Sequence, residues 1–186
     1  MKCQQMRGGL TMPLNYRIGD ATQPLGVGNK VLVHVCNDVG AWGKGFVLAI
    51  SKRWKEPEKQ YRQWSKEDID IPFQLGNVGY VQVEADLWVA NLIGQHGRSL
   101  PSSPSLRSRT GYAKGRVAGI PPVRYGAIRD GLENVADFAQ DKSASVHMPR
   151  IGAGLAGGNW ETIEEIIKET LVAQGQKVTV YDLPKR

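Results

Sequence analysis

His34-Val35-Cys36-Asn37-Asp38-Val39-Gly40-Ala41-Trp42-Gly43-Lys44-Gly45 and, much later, Met148-Pro149-Arg150-Ile151-Gly152-Ala153-Gly154-Leu155-Ala156-Gly157-Gly158 decide how this chain is read. Each stretch begins where a short apolar run ends, and each dissolves into glycine just before a helix-like segment. A glycine-rich turn from strand to helix leaves bare backbone N–H groups at the positive end of a helix, which is a cradle for phosphate. One such cradle is a weak signal. Two, on different strands, predict a ligand with more than one phosphate, or with a phosphate and a sugar, held between them.

Working outward, the pattern predicts strands at 15–18 and at 30–36, where Lys-Val-Leu-Val-His-Val-Cys is apolar and β-branched. Helices are expected over 45–52 and over 56–66, the second opened by Pro57. Residues 77–85 and 86–94 read as two strands that form a hairpin. An amphipathic helix follows over 123–140, with Ile128, Leu132, Val135, Ala136 and Ala139 on one side. Residues 145–148 read as a strand. Asn159 is placed to cap a helix over 160–173 that Gly175 ends, and 177–183 is the last strand. Strands alternating with helices imply a mixed, mostly parallel sheet sandwiched by helices. Ligands on such sheets sit at the carboxyl ends of strands. Both glycine loops follow strands directly, so both can reach one crevice.

The 186 residues carry a formal charge of +6, and their hydrophobic content of 41% is ordinary for a chain with a real core. Residues 1–13 are expected to form a flexible leader without the apolar block of a signal peptide, and 14–186 a single domain. The apolar runs are too short to span a bilayer, so no membrane partner is expected. Cys3 and Cys36 give no disulfide framework, which fits a cytoplasmic setting. His34, His96 and His147 lie far apart without metal-type spacing, so neither a metal nor a cofactor is expected, and each reads first as a structural histidine. No acid stands between Asp86 and Asp130, a span that holds Arg98, Arg107, Arg109, Lys114, Arg116, Arg124 and Arg129, and within it 97–122 reads as a long basic loop. Basic charge beside phosphate cradles favours an anionic ligand, although charge runs are usually solvated. Nucleic acid is only weakly supported as a partner, because Tyr112 and Tyr125 alone supply aromatics for stacking.

Several motifs in this order resemble the macrodomain family. They are Gly19-Asp20-Ala21-Thr22, the glycine loop at 37–45, Gln95-His96, and Ser145-Val146-His147-Met148-Pro149-Arg150-Ile151-Gly152 leading into the loop at 149–158. Within that family they are similar to the branch holding the macrodomain of the liver-cancer-amplified chromatin remodeller, the terminal ADP-ribose protein glycohydrolase and the yeast ADP-ribose 1″-phosphate phosphatase. The resemblance covers roughly residues 15–184. It implies a macrodomain-like three-layer α/β/α sandwich that binds ADP-ribose or an ADP-ribosylated macromolecule, and a monomer is expected.

The resemblance also implies roles. Asp20 and the backbone of Ala21 would meet the adenine edge, although Asp20 also reads as a plain turn residue. Gly152, Ala153, Gly154, Leu155 and Ala156 would wrap the diphosphate, where glycine permits close approach. Asn37 and Asp38 would lie near the distal ribose. Gly43, Lys44 and Gly45 would bring a helix N-terminus to the phosphates, with Lys44 pairing with phosphate or extending into water. Trp42 would wall the site or simply fill the core. Gly40, Gln95 and Ile151 complete the ligand-binding set.

The terminal glycohydrolase uses a lysine nucleophile and a loop aspartate. This chain has Ala156 at the aspartate position, and Leu92-Ile93-Gly94-Gln95-His96 offers no lysine. Alanine cannot transfer a proton or orient a base. Hydrolysis would need another group, with Asp38 first and His96 second, and Asn37 beside them. The alternatives are a reader of ADP-ribose without catalysis, and a basic module that recognises ADP-ribosylated nucleic-acid ends.

Overall fold

The computed structural model describes residues 14–67, 70–97 and 120–184. The leader, Cys3 and most of the basic loop, including Arg98, Arg107, Arg109, Tyr112, Lys114 and Arg116, lie outside them.

Six strands form one sheet in the order β1-β6-β5-β2-β4-β3. They are β1 (Asn15–Ile18), β2 (Lys30–Asn37), β3 (Val78–Glu84), β4 (Leu87–Gln95), β5 (Ser145–Pro149) and β6 (Val178–Asp182). All neighbours pair in parallel except the β3–β4 hairpin. The carboxyl ends of β1, β6, β5, β2 and β4 therefore share one edge of the sheet.

The strands are two-faced because side chains alternate. On one face Val31, Val33, Ala90, Leu92, Val146, Met148, Val178 and Val180 pack beneath α3 (Tyr125–Asp141) and α4 (Trp160–Ile167). On the other, Leu32, Cys36, Val89 and Ile93 pack with Val47 and Ile50 of α1 (Phe46–Arg53) and Tyr61 and Trp64 of α2 (Glu56–Trp64). The result is the three-layer α/β/α sandwich that the alternation of elements predicts.

Three departures from the sequence reading have a clear physical cause, while other element ends shift by one or two residues. The expected helix over 160–173 is α-helical only to Ile167, and Lys168–Val172 forms a π-helical turn. Side-chain periodicity cannot separate the two, because both keep Leu171 inward. The long helix starts at Tyr125 rather than at 123, because Val123 instead bridges Gln95 of β4. Finally, β2 and β4 keep register from Lys30↔Leu87 to Cys36↔Ile93, and then Asn37 stands opposite Gln95. Gly94 is the extra residue of this bulge. Its backbone passes so close to Ile128, Leu92 and Val35 that a Cβ would lie 3.0–3.2 Å from their side chains. Bulges of this kind re-aim side chains at the ends of strands.

Candidate functional site

The first glycine loop is folded by Asn37. Its side-chain oxygen accepts from the Val39 and Ala41 N–H groups at 3.1 and 2.9 Å, and its amide donates to the Ala41 carbonyl at 2.6 Å. The Tyr61 hydroxyl donates to the Asn37 carbonyl at 2.5 Å and reaches its side-chain oxygen at 3.1 Å. The sequence reading gave this amide to a ribose. Its oxygen instead holds the loop, although Asn37 still lines the crevice. Gly40, at φ +67°, sits where a Cβ would come within 2.6 Å of Ser65 Oγ, so its role is a close approach to the end of α2.

Trp42 is 6% exposed and forms a wall. Its indole N–H donates to Ser51 Oγ at 2.7 Å, and that hydroxyl donates to Glu58 Oε2 at 2.7 Å. Arg62 closes the chain of contacts, donating to Glu58 Oε1 at 2.9 Å and to the Trp42 carbonyl at 2.9 Å. Burial works to raise the Glu58 pKa, but the bonds from Ser51 and Arg62 outweigh it and hold the carboxyl below its usual range. The Trp42 ring also stands edge-on to His34 at 5.4 Å. Trp42 thus packs in the core and also lines the hollow beside it.

The loop ends at Gly45, φ +80°, which precedes α1 without any side-chain cap. No acid stands in the first turn of α1, in contrast to Glu56 and Glu58 in α2. The N-terminal N–H groups of α1 are thereby left to solvent or to a ligand. In the second loop the N–H groups of Gly152, Gly154 and Ala156 make no backbone hydrogen bond among the described residues, while the Gly157 and Gly158 N–H groups tie the loop to Gly154 and Gly152. A Cβ on Gly45 would stand 3.2 Å from Leu155 Cδ1, so the two loops meet.

Two hollows open where they meet. One, of about 390 Å³, is lined by residues that include Cys36, Asn37, Ala41, Trp42, Gly43 and Arg62. The other, of about 240 Å³, is lined by residues that include His34, Phe46, Arg150, Ile151, Gly152, Gly154 and Ala156. Both share Val35, Lys44, Val47, Gln95 and Leu155, and so form one continuous crevice. Its cations are Lys44, Arg62 and Arg150, and no aspartate or glutamate among the described residues lines it. Lys44 is exposed and has no ion-pair partner among the described residues. Arg62 was missed by sequence reasoning, because on the polar helix α2 it reads as an ordinary i,i+4 partner of Glu58.

Asp38 and His96 flank the crevice without lining it. His96 Nδ1 lies 2.6 Å from Asp38 Oδ2, and the Gly97 N–H donates to Oδ1 at 2.8 Å. Asp20 and Ala21 also stand outside the two hollows, on the same sheet edge beyond the end of β1. Asp20 Oδ1 accepts from the Thr22 N–H and hydroxyl at 2.9 and 2.8 Å, so its turn role is realised. Burial opposes ionisation of Asp20, and the Thr22 bonds prevail and lower its pKa. Ala21 is buried in the core, and Ala153 touches neither hollow.

His34 and His147 are buried structural residues. His34 Nε2 meets Asn91 Oδ1 at 2.6 Å, and His147 lies between Ser145 Oγ at 2.8 Å and the Tyr181 hydroxyl at 3.0 Å. Burial pushes both imidazoles down to about 4, so both are neutral near pH 7. No three His, Cys, Asp or Glu side chains among the described residues converge as metal ligands would.

An α/β/α sandwich with two glycine loops joined over one carboxyl-edge crevice defines the class, a three-layer α/β protein with a mostly parallel sheet. No family model matches the chain. It is similar to a solved macrodomain protein from Streptomyces coelicolor, with 47% identity and a TM-score of 0.74 over 91% of this chain and 99% of that one. A Bacteroides thetaiotaomicron protein of unknown function is 53% identical, with a TM-score of 0.80 over 92% of this chain and 99% of that one. The chain belongs to the macrodomain family. Among curated relatives, mouse chromodomain-helicase-DNA-binding protein 1-like is 32% identical over 92% of this chain, which spans only 18% of that protein's length. A Candida albicans ADP-ribose 1″-phosphate phosphatase is 24% identical over 84% of this chain and 92% of its own.

Proposed function

We propose that this chain binds ADP-ribose or an ADP-ribosyl group across the crevice and hydrolyses an ADP-ribose derivative there, without a lysine–aspartate pair. The observation that carries the reading is the union of the two hollows. A diphosphate over the meeting point of Gly45 and Leu155 would face the N-terminus of α1 on one side and the Gly152, Gly154 and Ala156 amides on the other. Lys44 is at hand for its charge. The distal ribose would enter the hollow walled by Trp42, and the adenosine would run along the strand ends toward Asp20. The name of the yeast relative supports ADP-ribose derivatives as the ligand class.

Asp38 and His96 form the acid–base pair of this reading. Both oxygens of Asp38 are already engaged, so Asp38 acts as the positioning residue. His96, with Nε2 away from the carboxylate, acts as the base that receives a proton from water. Backbone donors then stabilise the charge that develops on the leaving oxygen.

Ala156 at the position of the loop aspartate favours the second reading, a reader that retains its ligand. One panel separates the two. Wild type and His96→Gln are incubated with ADP-ribosylated protein, O-acetyl-ADP-ribose and ADP-ribose 1″-phosphate. Loss of the group with wild type but not with His96→Gln supports hydrolysis. Binding without turnover of any substrate supports the reader. No binding of free ADP-ribose by calorimetry refutes both.

A further inference from the structure

A hollow of about 510 Å³ is remote from the glycine loops, at the amino-terminal end of β5 and β6. Register explains its character. Asn15, Thr179 and His147 lie side by side across β1, β6 and β5. Side chains two residues away point to the same face, which adds Arg17, Lys177 and Ser145 to the row. The opposite face of these strands carries Val146, Val178 and Val180, packed beneath helices. A sheet face covered by a helix is apolar, whereas this one is polar in all three strands, and α3 supplies the only helical residues, Ala139 and Gln140, that line the hollow among those described.

The row is basic. No aspartate or glutamate among the described residues lines the hollow, and neither the Arg17 nor the Lys177 side chain makes a hydrogen bond or ion pair among them. Thr179 is 7% exposed, yet its side-chain hydroxyl has no hydrogen-bond partner among the described residues. A buried hydroxyl without a partner costs stability unless a ligand or water meets it. Burial first, and then the positive charges of Lys30, itself paired with Asp86, and of Lys177, lower the His147 pKa. Over one rim rises the loop of Gly26 and Gly28, both at positive φ, which presents Leu25 at 59% and Val27 at 99% exposure.

From this juxtaposition we infer that the hollow is a second ligand site, for a small phosphate-bearing molecule of mononucleotide size. Its phosphate meets Arg17 and Lys177, its hydroxyl groups meet Thr179 and Ser145, and its apolar body lies on Leu25 and Val27. The volume falls within the range of about 300–1,000 Å³ usual for such ligands. A half-enclosed hollow suits a terminal phosphate of a small molecule better than the continuous backbone of a nucleic acid, which needs an open groove. This site is independent of the ADP-ribose reading.

The test follows the ring signals of His147 by NMR while AMP, inorganic phosphate or a single-stranded oligonucleotide is added. Wild type and Gly154→Glu, which blocks the other crevice, are expected to show the same saturable shift with AMP, and a weaker one with phosphate. The variant Arg17→Gln/Lys177→Gln, changed only at exposed positions, is expected to lose at least tenfold in AMP affinity while its melting temperature and ADP-ribose affinity stay unchanged. No saturable shift at millimolar AMP overturns the inference. So does unchanged AMP affinity in the double variant, or binding of the oligonucleotide more tightly than AMP.

Discussion

Asp38 holds His96 and the residue after it together, with one oxygen 2.6 Å from the imidazole Nδ1 and the other accepting the Gly97 N–H at 2.8 Å. The carboxylate side chain is 15% exposed, so this is a sheltered contact rather than a loose surface pair. Its neighbours Asn37 and Gln95 line the crevice, and the Asp38 N–H donates to the Gln95 carbonyl at 3.1 Å. If the pair performs hydrolysis, His96→Gln should lower kcat about 100-fold or more with little change in ligand affinity. Asp38→Asn should lower it by less, and the double variant should be no worse than His96→Gln alone. Additive losses in single-turnover assays would show that the two residues do not act as a unit.

The second glycine loop offers a contrast between two of its own members. A Cβ on Gly154 meets nothing within 4 Å, whereas one on Gly158 would stand 2.7 Å from the Gly152 carbonyl oxygen. Gly154→Ala should therefore fold and bind normally. Gly154→Glu should fold with an unchanged melting temperature, yet lose at least 100-fold in ADP-ribose affinity, because its carboxylate enters the diphosphate position. Gly158→Ala should lose both stability and affinity, since the obstacle is backbone. Calorimetric titration together with thermal melts checks all three, and unchanged affinity in Gly154→Glu would refute the placement of the phosphates.

Asn37 is a structural keystone whose removal should be visible without any ligand. Asn37→Ala leaves the Val39 and Ala41 N–H groups without their acceptor and removes one partner of the Tyr61 hydroxyl. The expected cost is roughly 2–3 kcal/mol in urea unfolding, given about 1 kcal/mol for each hydrogen bond and more where a buried donor is orphaned. Asn37→Asp keeps the acceptor and should lose less.

Stability should also depend on pH in a defined window. His34 and His147 titrate near 4 in the folded state, against about 6.5 when unfolded. Between those values the unfolded chain binds protons that the folded chain refuses. The contribution is therefore complete above about pH 6.5 and is lost as the pH falls toward 4, by up to about 3 kcal/mol for each ring. Glu58, Asp20 and Asp182, all lowered by their partners against the opposing effect of burial, add a further loss that begins near the lower end of this window, first for Glu58, and grows at still lower pH. Urea melts at pH 7, 5.5 and 4.5 would show the slope, and replacing His147 by Asn should flatten about half of it.

Much of this architecture is legible in the sequence, for identifiable reasons. The apolar runs of β2 and β6 and the capped start of α4 at Asn159, whose side chain accepts the Thr162 N–H at 3.0 Å, are local signals. The two glycine loops announce themselves by composition, and the parallel order of strands brings them to one edge. Arg62 and the wall it supports are different. They depend on which face of α2 meets the Trp42 carbonyl, a long-range fact that helical spacing does not encode. The turn role of Asn37 was hidden for a related reason, because an amide suited to a sugar is equally suited to a turn, and its oxygen accepts from the Val39 and Ala41 N–H groups. The pairing of Asp38 with His96 rests on the bulge at Gly94, which strand alternation alone would not place.

That single extra residue in β4 has a consequence for how this rim can change over time. Because Gly94 shifts the pleat by one, Gln95 reaches the crevice while His96 turns to Asp38. Deleting it would exchange the two outlooks at a stroke, and a bulkier residue there would press on Ile128 and Leu92. Variation in this part of the molecule is therefore channelled into side-chain replacement at 95 and 96, with the length of the strand held fixed.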